Sequence, residues 1–302
     1  MPRPSVVYVY DNIAFPKGAT APLPGMEGDK IEATPSPERL SMIAPQTLAL
    51  DFDGVVCDGL FEYFATAWRA YGEIFGPTEG PPPPQLADRF YPLRPVVESG
   101  WEMPLLIHGL QRGLADQDLL EQWPTLVPQL LTETGLNPAQ LGATVDGVRD
   151  RWIQTDLVDW LSLHRFYPGV LPRLEAARAE GIEVVIISTK EGRFIQQLLE
   201  QQGMDLGPGQ ILGKEVKQPK YETLRQLRHQ GRSSIWFVED RLPALVAVQQ
   251  QSDLQDLQLF LAEWGYNTAA DRHQARQTTG VQSLNLEQFT APFSAWTGSR
   301  DG

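Results

Sequence analysis

The sequence predicts an α/β protein, a mostly parallel sheet interleaved with helices and interrupted once by a long helical insertion. Three observations predict it. Short apolar runs, TLALDF (47–52), IEVVIIS (182–188), SSIWFVED (233–240) and LQLFLA (257–262), have the length and apolar character of strands buried on both faces. Between these runs lie helical patterns, VLPRLEAARAEG (170–181), GRFIQQLLEQQG (192–203) and YETLRQLRHQG (221–231), each closing on a glycine suited to a left-handed cap. The segment from Leu60 to about Arg165 breaks that alternation: it has helical period and almost no β-branched runs. With 302 residues, a core plus one inserted module is the natural organisation.

Residues 1–44 carry prolines, glycines and small polar residues, as in FPKGATAPLPGMEG and EATPSPERL, with one short apolar piece, VVYVY. They are expected to form a disordered tail, and Met42 is an alternative translation start. Asp11, Glu27, Asp29, Glu32 and Glu38 argue against an organelle-targeting peptide. The core is expected over 45–58 and 166–302, and the helical module over 59–165. Within the module, EGPPPPQ (79–85) reads as a linker, ADQDLLEQW (115–123) and LGATVDGVRDRWIQTDLVDWLSL (141–163) as helices, and RPVVESGWEMP (94–104) as a loop of weak period. A helix is expected over Leu242–Gln250. WGYNTAADR (264–272) follows the last of the four runs and is expected at the rim of the sheet, with aromatic packing as its role.

The formal net charge of −13 argues against a nucleic-acid partner, which needs a basic surface. No apolar stretch approaches the ~20 residues that span a bilayer, and no secretory signal is visible. The single cysteine, Cys57, cannot form an internal disulfide, which suits a cytoplasmic protein.

Chemistry gathers at the ends of three runs: Asp51 and Asp53 after the first, Ser188 and Thr189 after the second, Glu239 and Asp240 after the third. Taken singly, each is as well read as a turn residue or helix cap. On adjacent parallel strands they converge at one edge, where ligands of such sheets collect. Four carboxylates in a small volume need a counter-ion, and oxygen-only ligands point to a hard divalent cation such as Mg2+. No cluster of His or Cys suggests zinc. Lys214, Lys217 and Lys220, three lysines within seven residues of a lysine-poor chain, lean towards an anionic site.

DFDGVVCD resembles the first motif of the haloacid dehalogenase-like hydrolases, Asp-x-Asp-Gly-x-x-x-Asp after a buried strand. FYPGVLPRLEAARAEGIEVVIISTK is similar to the approach to their second motif, KQPK with YETLRQL to the third, and IWFVEDR to the fourth. The resemblance covers about 47–58 and 166–250, and the insertion after the first motif is similar to the C1-capped branch, which includes β-phosphoglucomutase-like proteins. It implies a Rossmann-like core with a helical cap, and Mg2+-dependent hydrolysis of a small phosphorylated metabolite through an aspartyl-phosphate. Asp51 would be the nucleophile and Asp53 the acid and base. Ser188 and Lys220 would hold the phosphoryl group, and Asp51, the Asp53 carbonyl, Glu239 and Asp240 would hold the metal. Thr189 stands where the family usually has Asn. Lys217 is the second choice for the motif lysine.

The insert contains no lysine, which disfavours Schiff-base phosphonate chemistry. Asp53 disfavours 2-haloacid dehalogenation, and a P-type ATPase would carry threonine there. Two alternatives remain: β-phosphoglucomutase-like phosphoryl transfer, for which only Glu239–Asp240 speaks, and a non-catalytic binding or assembly protein that kept the fold. For the substrate, Arg94 and Trp101, with Thr189 and Lys217, are the expected contacts; the bland reading of Trp101 is a gap-filling aromatic.

Overall fold

The computed structural model describes residues 44–77 and 80–296. The expected tail over 1–44 lies, but for Ala44, outside the described residues. In chain order, β1 (Thr47–Leu50) and β2 (Cys57–Asp58) lead into six helices. These are α1 (Leu60–Phe75), α2 (Pro84–Leu93), α3 (Met103–Gln111), α4 (Asp116–Thr134), α5 (Pro138–Thr155) and α6 (Leu157–Ser162). The chain then runs through β3 (Arg165–Phe166), α7 (Val170–Ala179), β4 (Glu183–Ile187), α8 (Gly192–Gln201) and β5 (Ile211–Leu212). It ends with α9 (Lys220–His229), β6 (Ile235–Glu239), α10 (Leu242–Gln249), β7 (Gln258–Ala262), α11 (Ala269–Gln277), β8 (Val281–Leu284) and α12 (Leu286–Thr290).

The main sheet has the order β5-β4-β1-β6-β7-β8, and every pair in it is parallel. Both faces are covered, and alternate side chains show it. Leu48, Leu50, Val184, Ile186, Trp236 and Val238 enter one apolar cluster, while Ala49, Val185, Ile187, Ile235 and Phe237 enter the cluster on the other face. Burial on both sides is why these strands read as continuous apolar runs rather than alternating ones. The chain runs outward from β1 through β4 to β5 and then returns to β6 on the other side of β1, so the carboxyl end of β1 is the switch point where such sheets bind ligands.

β2 and β3 pair antiparallel, Cys57 with Phe166 and Asp58 with Arg165, closing the chain before and after the inserted helices. Those helices bury their own apolar cluster, with Phe64, Trp68, Phe90, Leu105, Trp123 and Leu141 in it. The expected single helix over 141–163 divides at Asp156, whose φ of −154° leaves the helical region and whose carboxylate accepts the Asp159 N–H at 2.9 Å. Helix α4 outruns the expected 115–123 and continues through Pro124 and Pro128 to Thr134. The loop over 94–104 contains two 3₁₀ turns, Arg94–Val96 and Gly100–Glu102. Glu102, almost wholly buried, fastens it by accepting from the Ser99 N–H and from the Trp123 indole. The strands that escaped the sequence reading are short or polar: β5 has two residues, and β8 is VQSL at the sheet's edge. Among the described residues, no helix is long and apolar enough to cross a membrane.

Candidate active site

Three adjacent strands deliver the candidate site residues. β1 ends at Leu50, so Asp51 is the first residue beyond the sheet; β4 delivers Ser188 and β6 ends on Glu239, with Asp240 next. All four are buried, and Glu239 and Asp240 are each 1% exposed. Asp51, Glu239 and Asp240 offer carboxylate oxygens within 4.8 Å of one another. Helix α9 aims its first residue at them: Lys220 Nζ lies 2.6 Å from Glu239 Oε2 and 3.0 Å from Asp51 Oδ2.

One lysine among three buried carboxylates leaves a charge deficit, and the acids show it. Burial pushes Asp51 up to about 7 against the pull of Lys220, with Glu239 adding to the rise. Burial, Glu239 and Asp51 hold Asp240 well above the ordinary carboxylate range. Lys220 is held above its ordinary value because Asp51 and Glu239 outweigh its own burial. Asp240 has no cation within ion-pair distance among the described residues; its Oδ2 accepts the Tyr266 backbone N–H at 2.7 Å. The donor set is all oxygen and carries excess negative charge, so these residues fit a hard divalent cation.

The backbone around Asp240 leaves no room for side chains. A Cβ on Gly54, whose φ is +89°, would stand 2.2 Å from Asp240 Oδ2. One on Gly265 would stand 2.3 Å from Asp240 Cβ and 2.4 Å from the Gly54 carbonyl. Tyr266, read from sequence only as aromatic packing, is a fastener: besides its backbone bond to Asp240, its hydroxyl donates to Asp58 Oδ1 and accepts the Gly59 N–H, both at 2.8 Å. Asn267 adds a bond to the Asp240 carbonyl at 3.1 Å.

Asp53 stands apart from the three-carboxylate cluster. Its Oδ2 lies 3.3 Å from Lys190 Nζ, and its Oδ1 is buried without a partner. Lys190 also approaches His164 Nε2 at 3.3 Å, while His164 Nδ1 faces the Trp160 carbonyl at 3.2 Å. Burial and Lys190 push His164 down to about 4, so it is neutral at pH 7 and its Nε2 accepts from the ammonium. Behind this lies a fully buried Glu62, gripped by Arg149 at 2.8 and 3.2 Å and by the Trp160 indole at 3.0 Å. Arg149 holds Glu62 far below the ordinary carboxylate range despite its burial.

Above Asp53 a cavity of about 530 Å³ is shared by core and inserted helices. Arg94, Trp101, Thr189, Lys190 and Lys214 are among its lining residues. Lys217, the second choice for the motif lysine, is not brought there: it is exposed, in the left-handed region at φ 52°, and Lys220 occupies the place beside the acids. Sequence reasoning missed Lys190, whose one signal is its place directly after Ser188–Thr189 at the end of the second run. The Glu62–Arg149 pair carries no local signal.

Fold and site together place three buried carboxylates and a lysine at the carboxyl edge of a parallel sheet, beneath a helical insertion. Residues 45–248 match the family model of the haloacid dehalogenase-like hydrolases, and the chain belongs to that family. Among solved structures, it is similar to a predicted phosphatase from Clostridium acetobutylicum (12% identity, 82% of this chain and 96% of that one, TM-score 0.51). A predicted phosphoglycolate phosphatase from Haemophilus somnus matches at 14% identity over 82% and 95%, TM-score 0.52. A haloacid dehalogenase-like family hydrolase from Streptococcus pneumoniae matches at 12% over 80% and 94%, TM-score 0.51. At such identities the likeness is one of fold. None of the curated proteins matches the chain.

Proposed function

We propose that the chain is a Mg2+-dependent phosphomonoester hydrolase acting on a small phosphorylated metabolite in the cytoplasm, with its core over 45–58 and 166–302 and its cap over 59–165. The observation that carries the reading is the division of labour between two aspartates two residues apart. Asp51 lies in the carboxylate cluster on Lys220, while Asp53 faces the cavity with a free, buried Oδ1. A nucleophile and a separate acid–base group are what two-step phosphoryl transfer to water requires.

In this reading an Asp51 carboxylate oxygen attacks phosphorus, the ester P–O bond breaks, and Asp53 gives its proton to the departing oxygen. Asp53 then takes a proton from water as that water attacks the aspartyl-phosphate, breaking the new Asp51 O–P bond and releasing phosphate. Lys220 and the Ser188 hydroxyl hold phosphoryl oxygens, and the cap excludes bulk water. Magnesium, held by Asp51, Glu239, Asp240 and the Asp53 carbonyl, would supply the positive charge that offsets the clustered acids and the phosphoryl oxygens. Turnover of a panel of phosphate esters with magnesium, abolished in Asp51→Asn, tests this reading; turnover that survives that change refutes it.

A further inference from the structure

Two buried polar atoms of the cavity lining have no partner: Asp53 Oδ1 and Arg94 Nε. A polar atom hidden from water and left unbonded is costly, and in a ligand cavity it marks a place the ligand fills. Asp53 is accounted for by the proposed chemistry. Arg94 is not.

The other cations of the lining already face acids. Arg149 is spent on Glu62 at 2.8 Å and Lys190 on Asp53 at 3.3 Å, and Lys214 lies 3.7 Å from Asp146. Arg94 has no carboxylate within ion-pair distance among the described residues. Its guanidinium is nonetheless fixed in place. It lies over the rings of Tyr63 and Tyr266, 4.6 and 4.9 Å from their centroids, and Nη1 donates to the Val97 carbonyl at 2.9 Å. The core's Arg241 grips the same turn through the Pro95 and Val97 carbonyls at 3.1 and 2.8 Å. A planar donor fork held this way loses little freedom on binding, and it matches an oxyanion better than an ammonium does. Tyr266 is also the residue that ties Asp240, so the arginine is anchored over the catalytic edge of the sheet. A cavity of about 530 Å³ has the size of a small-molecule site.

We infer that Arg94 recognises a second anionic group on the substrate, which is therefore a small phosphate ester carrying a further carboxylate or phosphate. The inference rests on the hydrolase reading only for the phosphoryl end of the molecule. Phosphonates, whose carbon–phosphorus bond resists hydrolysis, separate the two. Calorimetric binding of propylphosphonate, carboxyethylphosphonate and propylene bisphosphonate to the full chain, with magnesium present, compares one phosphonate with and without a second anion. The wild type is expected to prefer at least one of the two doubly anionic probes by roughly tenfold or more, the scale of one charge-assisted hydrogen bond. Which of the two it prefers tells carboxylate from phosphate. In Arg94→Met that preference is expected to collapse towards one, and Arg94→Lys to restore part of it.

Equal affinity for all three probes in the wild type overturns the inference, and so does failure of all three to bind. A preference that persists in Arg94→Met overturns it too, including the case in which every probe weakens alike. Arg94-dependent preference without turnover of any ester would remove the hydrolase reading and leave this one standing. Turnover without preference would do the reverse.

Discussion

Replacing Lys220 by methionine keeps the length of the side chain and removes the single cation of the carboxylate cluster. Its Nζ sits 3.0 Å from Asp51 and 2.6 Å from Glu239, and only 16% of its side chain is exposed, so solvent cannot take its place. Removing one partner of a buried ion pair strands the other, a loss of ~3–5 kcal/mol rather than the small value of a surface pair. Two linked effects distinguish this from ordinary packing damage. Asp51 is already raised from 3.8 to about 7, so the folded chain binds its proton more tightly than the unfolded chain. Stability therefore falls as pH rises through that window. Without Lys220 the acids rise further, so the penalty of the substitution is largest above pH 7 and smaller near pH 5. A divalent cation, where it binds, then stabilises the variant more than the wild type, because the charge it meets is larger.

Urea unfolding of both proteins at pH 5 and pH 8, each with chelator and with magnesium, reads all of this. The expected pattern is a loss of about 3–5 kcal/mol at pH 8 in chelator, reduced at pH 5 and reduced by magnesium. A loss below about 1 kcal/mol, the same at both pH values and indifferent to the metal, would refute the view that Lys220 neutralises the cluster.

Two further substitutions probe the supports of the site. Gly265→Ala puts a methyl group against Asp240 Cβ and the Gly54 carbonyl, neither able to swing away, so turnover should fall by roughly a hundredfold, as for misplaced catalytic groups; an active variant would show that Asp240 tolerates displacement. Lys190→Met frees Asp53, and since Asp53 is proposed to protonate the leaving group, the loss of kcat should be greater for an alkyl phosphate than for p-nitrophenyl phosphate, whose leaving group needs no proton. Equal losses on the two esters would confine Lys190 to a structural role.

What was legible in the sequence was whatever a few neighbouring residues decide. Asp51 and Glu239 close apolar runs, and a run buried on both faces announces a strand wherever it occurs, so the edge at which these acids gather follows from the alternation of strands and helices. The lysines of GKEVKQPK marked an anionic site, but only the resemblance to the family's third motif set Lys220 ahead of Lys214 and Lys217. Contacts between distant segments were not legible: Glu62 meets Arg149 87 residues away, and the Tyr266 hydroxyl receives the Gly59 N–H from 207 away. Nothing in WGYNTAADR marks Tyr266 as a fastener, since a tyrosine that packs and one that bonds carry the same local pattern. The loop glycines show the same gap. In DFDG the glycine, Gly54, adopts a φ of +89°, but its closest constraint is Asp240, 186 positions later, standing where a Cβ would be. The cluster's charge explains why such crowding is kept. Lys220 reaches two of its three acids, and Asp240 is left to the Tyr266 N–H, so Gly54, Gly265 and Tyr266 must close tightly enough to hold a carboxylate that no cation among the described residues pairs. Enlarging either glycine would loosen the one acid of the cluster that has no ion pair among the described residues, and with it the place a divalent ion needs.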